Sequence, residues 1–167
     1  MNRAYHAHRN HYGSNIHGVV EVPPLSLVAG TSLCFFRFQH TYMHSNNLER
    51  LIGWAHPVPL QLLKYRNTSL FIDGTFRCVP AKFHQCVILM AHDNATDLFV
   101  PVYYVLCSSK QQDMYWSVLH RIIASSDEKI QPGSMVCDFE ASLINAAQVQ
   151  FPDTNVIGCF SHFKQDC

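Results

Sequence analysis

The order of apolar runs and polar turns along the chain predicts an α/β fold. Short apolar runs bounded by turn residues predict five strands, at residues 70–72, 86–91, 98–107, 134–137 and 155–158. Apolar residues at helical spacing predict two helices, one over residues 111–125 and one that contains Leu143, Ala146 and Ala147. The predicted order is therefore β-β-β-α-β-α-β. Two of the strands are almost continuously apolar, which is typical of the mixed sheet in a three-layer α/β sandwich.

The chain before these elements has a different pattern. Residues 1–45 begin without apolar periodicity and are predicted to be a poorly ordered leader with one edge strand, at residues 33–38. Four apolar residues then recur at helical spacing: Leu48, Leu51, Ile52 and Ala55. Because Asn46 and Asn47 suit an N-cap, this stretch predicts a helix. The domain itself is predicted over residues 46–167.

Composition and charge narrow the class of protein. The chain is 48% apolar and 14% charged, as globular proteins are, and no apolar run approaches the ~20 residues of a membrane span. Seven irregularly spaced cysteines, several within apolar runs, indicate buried thiols in a reducing compartment. No signal-peptide pattern opens the chain, so we expect a nuclear or cytoplasmic protein with no membrane partner. The net charge of zero argues against strong DNA binding by the chain as a whole.

Two aspartates follow the apolar residues of two predicted strands. Asp73 ends the run that begins at Leu70. Asp138 lies 65 positions after Asp73 and ends the run that begins at Ser134. Carboxylates on neighbouring strands suit Mg²⁺ or Mn²⁺ in phosphoryl-transfer nucleases, which use two such ions ~4 Å apart. Asp73 and Asp138 meet only if their strands are adjacent, and the predicted order of elements permits this.

Each aspartate also has a structural interpretation. Asp73-Gly74 between apolar runs is a hairpin signal. Asp138 suits the N-cap of the following helix, and Glu140 is an acid at the start of that helix, where the helix dipole favours it. The joint occurrence of two aspartates at the ends of two strands in one α/β order favours a shared site.

A thiol and an imidazole follow the last predicted strand. Cys159 and His162 are three positions apart and are candidate zinc ligands. Two ligands do not close a zinc site. A buried cysteine and a polar histidine at a helix start explain the pair without metal, and zinc is the alternative.

Three stretches in this order closely resemble the Mutator-like element (MULE) transposase domain. They are Asp73-Gly74-Thr75-Phe76, Val136-Cys137-Asp138-Phe139-Glu140 and Gly158-Cys159-Phe160-Ser161-His162. Gln85 after the first stretch and Val100-Pro101-Val102-Tyr103 in the third strand support the match. The resemblance covers roughly residues 51–165.

This resemblance implies an RNase H-like fold and a DDE triad of acidic residues that cuts and joins DNA with Mg²⁺ or Mn²⁺. At the matching positions Asp73 corresponds to the first acid and Asp138 to the second, so both are implied to be catalytic and to bind the metal. Cys159 and His162 correspond to the family's C-x2-H motif. The family's third acid lies well downstream of that motif, so we expect this chain to be a C-terminally truncated domain.

The function implied is that of a DNA transposase catalytic-domain fragment, whose partner in the intact family is the DNA of transposon ends. Because the third acid is expected to lie outside the chain, we expect the fragment to be inactive alone and to bind DNA weakly or not at all. Whether this polypeptide is an enzyme therefore stays open. The alternative is a non-enzymatic, transposon-derived relic or a domesticated binding module.

Overall fold

The computed structural model of the chain describes residues 25–76, 79–127, 130–138 and 140–159. The strands in these ranges are Phe36–His44 (β1), Asn47–Ala55 (β2), Ser69–Thr75 (β3), Gln85–Asp93 (β4), Leu98–Cys107 (β5), Ser134–Cys137 (β6) and Asn155–Gly158 (β7). The helices are a 3-10 helix at Pro59–Lys64 and two α-helices at Gln112–Ser125 (α1) and Ala141–Gln150 (α2).

All seven strands form one mixed sheet in the order β1-β2-β5-β4-β3-β6-β7. Pairing is antiparallel from β1 across to β3, whereas β6 is parallel to both β3 and β7. The meander of β3, β4 and β5 and the two crossovers through α1 and α2 are as the pattern predicted. The fold is therefore α/β with a mixed sheet, which is compatible with the RNase H-like architecture.

The prediction of a helix after Asn46 and Asn47 is wrong, because this stretch forms β2. Residues 49–55 are all buried, and a strand covered on both faces carries apolar residues without alternation, so their spacing also matched a helix. The asparagines do not cap a helix. Ser45 and Asn46 have positive φ angles of 47° and 66°, as both central residues of a type I′ hairpin turn require.

Strand β1 lies at one edge of the sheet in the described ranges and overlaps the edge strand predicted at residues 33–38. Its bounds are shifted from residues 33–38 to Phe36–His44. The boundary predicted between residues 45 and 46 falls in the turn between β1 and β2, so the sheet extends into the predicted leader. Residues 1–24 of that leader lie outside the described residues.

The second half of the chain folds as its pattern predicted. β6 and β7 have the predicted bounds. Of the apolar residues at helical spacing that predicted α1, Met114, Val118, Leu119 and Ile122 are buried and Ile123 is half-buried. Pro101 lies at an irregularity in the pairing of β4 with β5, where a residue without a backbone N–H is tolerated.

Hydrophobic clusters lie on both faces of the sheet. In β2, Leu51 belongs to the larger cluster and Ile52 to the smaller one, because successive side chains of a strand point to opposite faces. The buried side chains of α1, α2 and the 3-10 helix all belong to the larger cluster. Among the described residues, the helices therefore cover one face. The other face carries the smaller cluster of Ile52, Trp54, Phe83 and Leu106.

Helix α1 is bound to the sheet near its C-terminal end by Tyr103. This residue of β5 is fully buried. Its phenol oxygen lies 2.7 Å from the Ser125 hydroxyl and 3.0 Å from the Ser126 hydroxyl. These contacts satisfy a buried polar atom and fix where α1 ends against the sheet.

None of the helices in the described ranges is long and apolar enough to cross a membrane.

We expect Gly53→Ala to lower the free energy of unfolding by about 1–3 kcal/mol, as overpacking does. Gly53 pairs with Phe38 across β1 and β2, and a Cβ added at Gly53 would overlap the Phe38 ring. Denaturant unfolding followed by circular dichroism measures the change. In a Phe38→Ala background the overlap is removed, so the same substitution should cost less than about 0.5 kcal/mol. An equal cost in both backgrounds would contradict this explanation.

Candidate active site

The two predicted aspartates lie beside each other because β3 and β6 are parallel neighbours. The register places Ile72 opposite Cys137, and Asp73 and Asp138 are the residues that follow each of them. Both aspartates line the same cavity. The prediction that their strands are adjacent is confirmed, and their catalytic role stays a prediction.

The structural interpretations of the two aspartates are not supported. Asp73 and Gly74 are within β3, where they pair with Ile88 and Val87 of β4, so they do not form a hairpin turn. The N-cap position of α2 is occupied by Glu140, so Asp138 does not cap this helix.

Gly74 allows the Gln85 side chain to pack closely against β3 in the lining of the cavity. Its backbone N–H donates a hydrogen bond of 2.8 Å to Oδ1 of Asp73, which orients that carboxylate. A Cβ added at Gly74 would lie 2.6 Å from Oε1 of Gln85. A side chain at position 74 would therefore require the fully buried Gln85 amide to shift from its place against β3.

A buried hydrogen-bonded chain joins β4, α1 and α2 beside the aspartates. Gln85 Nε2 donates to the Tyr115 hydroxyl at 2.8 Å and to the backbone oxygen of Ser109 at 3.3 Å. Tyr115 donates its single proton to Glu140 Oε2 at 2.9 Å, since a carboxylate only accepts. Glu140, which was predicted only as an acid at a helix start, therefore lines the same cavity as Asp73 and Asp138.

The buried position of Tyr115 keeps its phenol protonated. Burial raises the pKa of its phenol well above the ordinary value of 10.0, and the charge of Glu140 raises it further, although the hydrogen bond from Gln85 opposes this shift. The neutral phenol is therefore a permanent donor to Glu140 at physiological pH.

Lys110 lines the cavity and lies in the segment between β5 and α1. Its Nζ atom is 3.6 Å from Glu140 Oε2 and 4.1 Å from the centroid of the Phe76 ring. It is the single cationic residue that lines the cavity in the described part of the chain. The cavity thus has three carboxylates and one ammonium group.

The donor set of the cavity is one of hard oxygen ligands. Within the described residues no group of three or more His, Cys, Asp or Glu side chains is placed to hold a metal ion. Mg²⁺ is usually bound by one or two carboxylates, with water and substrate phosphate as the other ligands. Asp73 and Asp138 fit such a site, whereas Glu140 is held by Tyr115 and Lys110.

Of the two candidate zinc ligands Cys159 and His162, the structure describes Cys159. Cys159 is buried directly after β7, and its N–H donates a 2.7 Å hydrogen bond to the backbone oxygen of Cys137. Burial raises the pKa of the Cys137 thiol to about 11, and the neighbouring Asp138 carboxylate and Cys159 add to this shift. His162 lies outside the described residues, so zinc at Cys159 and His162 stays a prediction.

Sequence reasoning did not assign three polar residues of the cavity to the site. Tyr115 was hidden within the apolar face of α1, and Gln85 and Lys110 carried no spacing signal of their own. One clue was available for Gln85, since a glutamine at the start of an apolar strand is a polar group that must find a buried partner.

Comparison with known protein families identifies the family of the chain. The family model of the MULE transposase domain matches residues 69–166, which is more than half of the chain. A comparison with curated proteins gives no match. The matched region begins with the first residue of β3 and includes both aspartates and all the residues that line the cavity. The chain therefore belongs to the MULE transposase domain family.

Proposed function

We propose that Asp73 and Asp138 are the metal-binding carboxylates of a site that cleaves and joins DNA strands. The observation that carries this proposal is their placement side by side in one cavity by the parallel pairing of β3 and β6. Membership of a transposase domain family supports DNA as the substrate. In the intact family this DNA is that of the transposon ends.

The aspartates would hold Mg²⁺ or Mn²⁺, which as a Lewis acid stabilises charge on the attacking and leaving oxygens of a phosphodiester. The chain's own contribution is rigidity. Asp73 is held on a strand that is paired on both sides, and its Oδ1 is oriented by the Gly74 N–H. Asp138 follows β6, which is likewise paired on both sides. Carboxylates fixed in this way need little reorganisation when a metal ion binds.

Glu140 has a different role from the two aspartates in this proposal. Its carboxylate accepts the Tyr115 proton and pairs with Lys110. The Tyr115 hydroxyl holds this carboxylate in the wall of the cavity, so we assign metal binding to Asp73 and Asp138.

We expect Asp73→Asn and Asp138→Asn each to weaken Mn²⁺ binding by at least about tenfold, because each removes a charged ligand from a site with few protein ligands. Isothermal titration calorimetry without DNA measures the affinity. Asp153→Asn is the matched control, since Asp153 is exposed and is not among the residues that line the cavity, and it should bind Mn²⁺ like the wild type. Equal affinities in all four proteins would rule out the proposed metal site.

We expect the 167-residue chain alone to show no appreciable cleavage of DNA. Two aspartates supply few ligands for the two ions that in-line displacement uses. A supercoiled-plasmid nicking assay with Mg²⁺ or Mn²⁺ measures this. Fusion of a downstream family segment that carries the third acid should restore nicking, and Asp73→Ala or Asp138→Ala should abolish the restored activity.

Two results of that assay would change the proposal. Metal-dependent nicking by the short chain, lost in Asp73→Asn, would show that two carboxylates suffice. A fused chain that binds DNA but never nicks it would favour the relic or binding-module alternative.

A further inference from the structure

The charges in the cavity pose a problem for a DNA substrate. Asp73, Asp138 and Glu140 all line it, and a phosphate that approaches three carboxylates is repelled. Metal ions at the two aspartates offset part of this charge, but a phosphate group also needs a protein donor to fix its orientation. Among the described residues that line the cavity, Lys110 is the single group that has a positive charge to offer.

We infer that Lys110 binds a phosphate oxygen of the DNA backbone at the Asp73 and Asp138 site. This inference rests on the proposed function, and it names the residue that positions the substrate. A lysine ammonium has three donors and a compact charge, which suit a single phosphate oxygen.

The contacts of Lys110 hold it near the cavity without using up its charge. The distance of 3.6 Å between Nζ and Glu140 Oε2 exceeds the 2.7–3.2 Å usual for a strong N–H···O hydrogen bond. Its side chain is 35% exposed, so solvent and ligand can both reach it. The ammonium group therefore exchanges Glu140 for a phosphate at little cost.

Glu140 does not lose its only partner when Lys110 turns to a phosphate. The Tyr115 hydroxyl still donates to Oε2 at 2.9 Å, and Tyr115 is itself fixed by Gln85. A carboxylate that keeps a buried donor tolerates the departure of the lysine. The hydrogen bonds from Gln85 to Tyr115 and from Tyr115 to Glu140 therefore allow Lys110 to leave Glu140 for a phosphate.

A contact with Phe76 places Lys110 near the strand that carries Asp73. The Phe76 ring lies under the ammonium group at 4.1 Å, and Phe76 directly follows β3, the strand that carries Asp73. A cation over an aromatic face keeps its donors free on the opposite side. Lys110 is therefore held over the end of the strand where the substrate phosphate would lie.

The test is the salt dependence of DNA binding. Fluorescence anisotropy with a labelled 20-base-pair duplex, in the presence of Mn²⁺ and from 20 to 150 mM KCl, gives the slope of log K against log salt. We expect Lys110→Met to reduce the steepness of this slope by about 0.9, the value for one lost phosphate contact. Lys110→Arg should retain the wild-type slope, because it keeps the charge. Circular dichroism and thermal unfolding check that each variant is folded.

Two further variants decide whether the effect belongs to this site. Lys64→Met is the matched control, since Lys64 is exposed at the end of the 3-10 helix, and it should leave the slope unchanged. Glu140→Gln frees Lys110 and should tighten binding at 20 mM KCl by about threefold, but it should tighten binding much less in the Lys110→Met background.

An unchanged slope in Lys110→Met, or an equal loss in Lys64→Met, would overturn the inference. Equal tightening by Glu140→Gln with and without Lys110 would overturn it as well. The Mn²⁺ titrations of the aspartate variants contain no DNA, so failure of the metal site and failure of the Lys110 contact are seen separately.

Discussion

Parallel hydrogen bonding between β3 and β6 is the constraint on which the candidate site depends. It brings together two residues that are far apart in the chain, and its register is supported by buried partners such as Leu70 and Met135. The hydroxyl of Ser134 also donates to that of Ser69 at 2.9 Å. A slip of one residue would move every side chain of β6 to the other face, and Asp138 would then no longer follow the residue opposite Ile72.

The buried polar chain through Gln85, Tyr115 and Glu140 adds a second constraint. Helix α1 is tied to the sheet near its N-terminal end by Tyr115 and near its C-terminal end through Tyr103. Because a buried polar group without a partner is costly, each of these contacts specifies one position of the helix. The start of α2 is fixed in the same way by Glu140, so both helices are positioned with respect to the strand ends.

The sequence predicted the elements whose periodicity is unambiguous, and it failed where one pattern fits two structures. β6, β7 and the buried face of α1 were predicted because short apolar runs or helical spacing stood between clear turns. β2 was mistaken for a helix, since a strand buried on both faces has no alternation to reveal it. Ser45 and Asn46 determine the outcome through their backbone angles.

Of the residues that line the candidate cavity, the sequence indicated Asp73 and Asp138 as site residues. Asp73 and Asp138 each end an apolar run, which is visible along the chain. The contacts of Lys110 with Glu140 and of Tyr115 with Gln85 join segments that are 25 or more residues apart. Neither pair has a local spacing rule, and its members come together only through the packing of α1 against the sheet.

The separation of β3 from β6 has a consequence for the order in which the domain folds. Ser69 and Ser134, which are partners across these strands, are 65 positions apart, whereas nine residues join β3 to β4 and four join β4 to β5. Closing a long loop costs more entropy than closing a hairpin, and distant contacts slow folding. We therefore expect the meander to form first and the two carboxylates to meet late. Their proximity then depends on completion of the crossover through α1, so a chain that has folded only its antiparallel half has not yet brought Asp73 and Asp138 together.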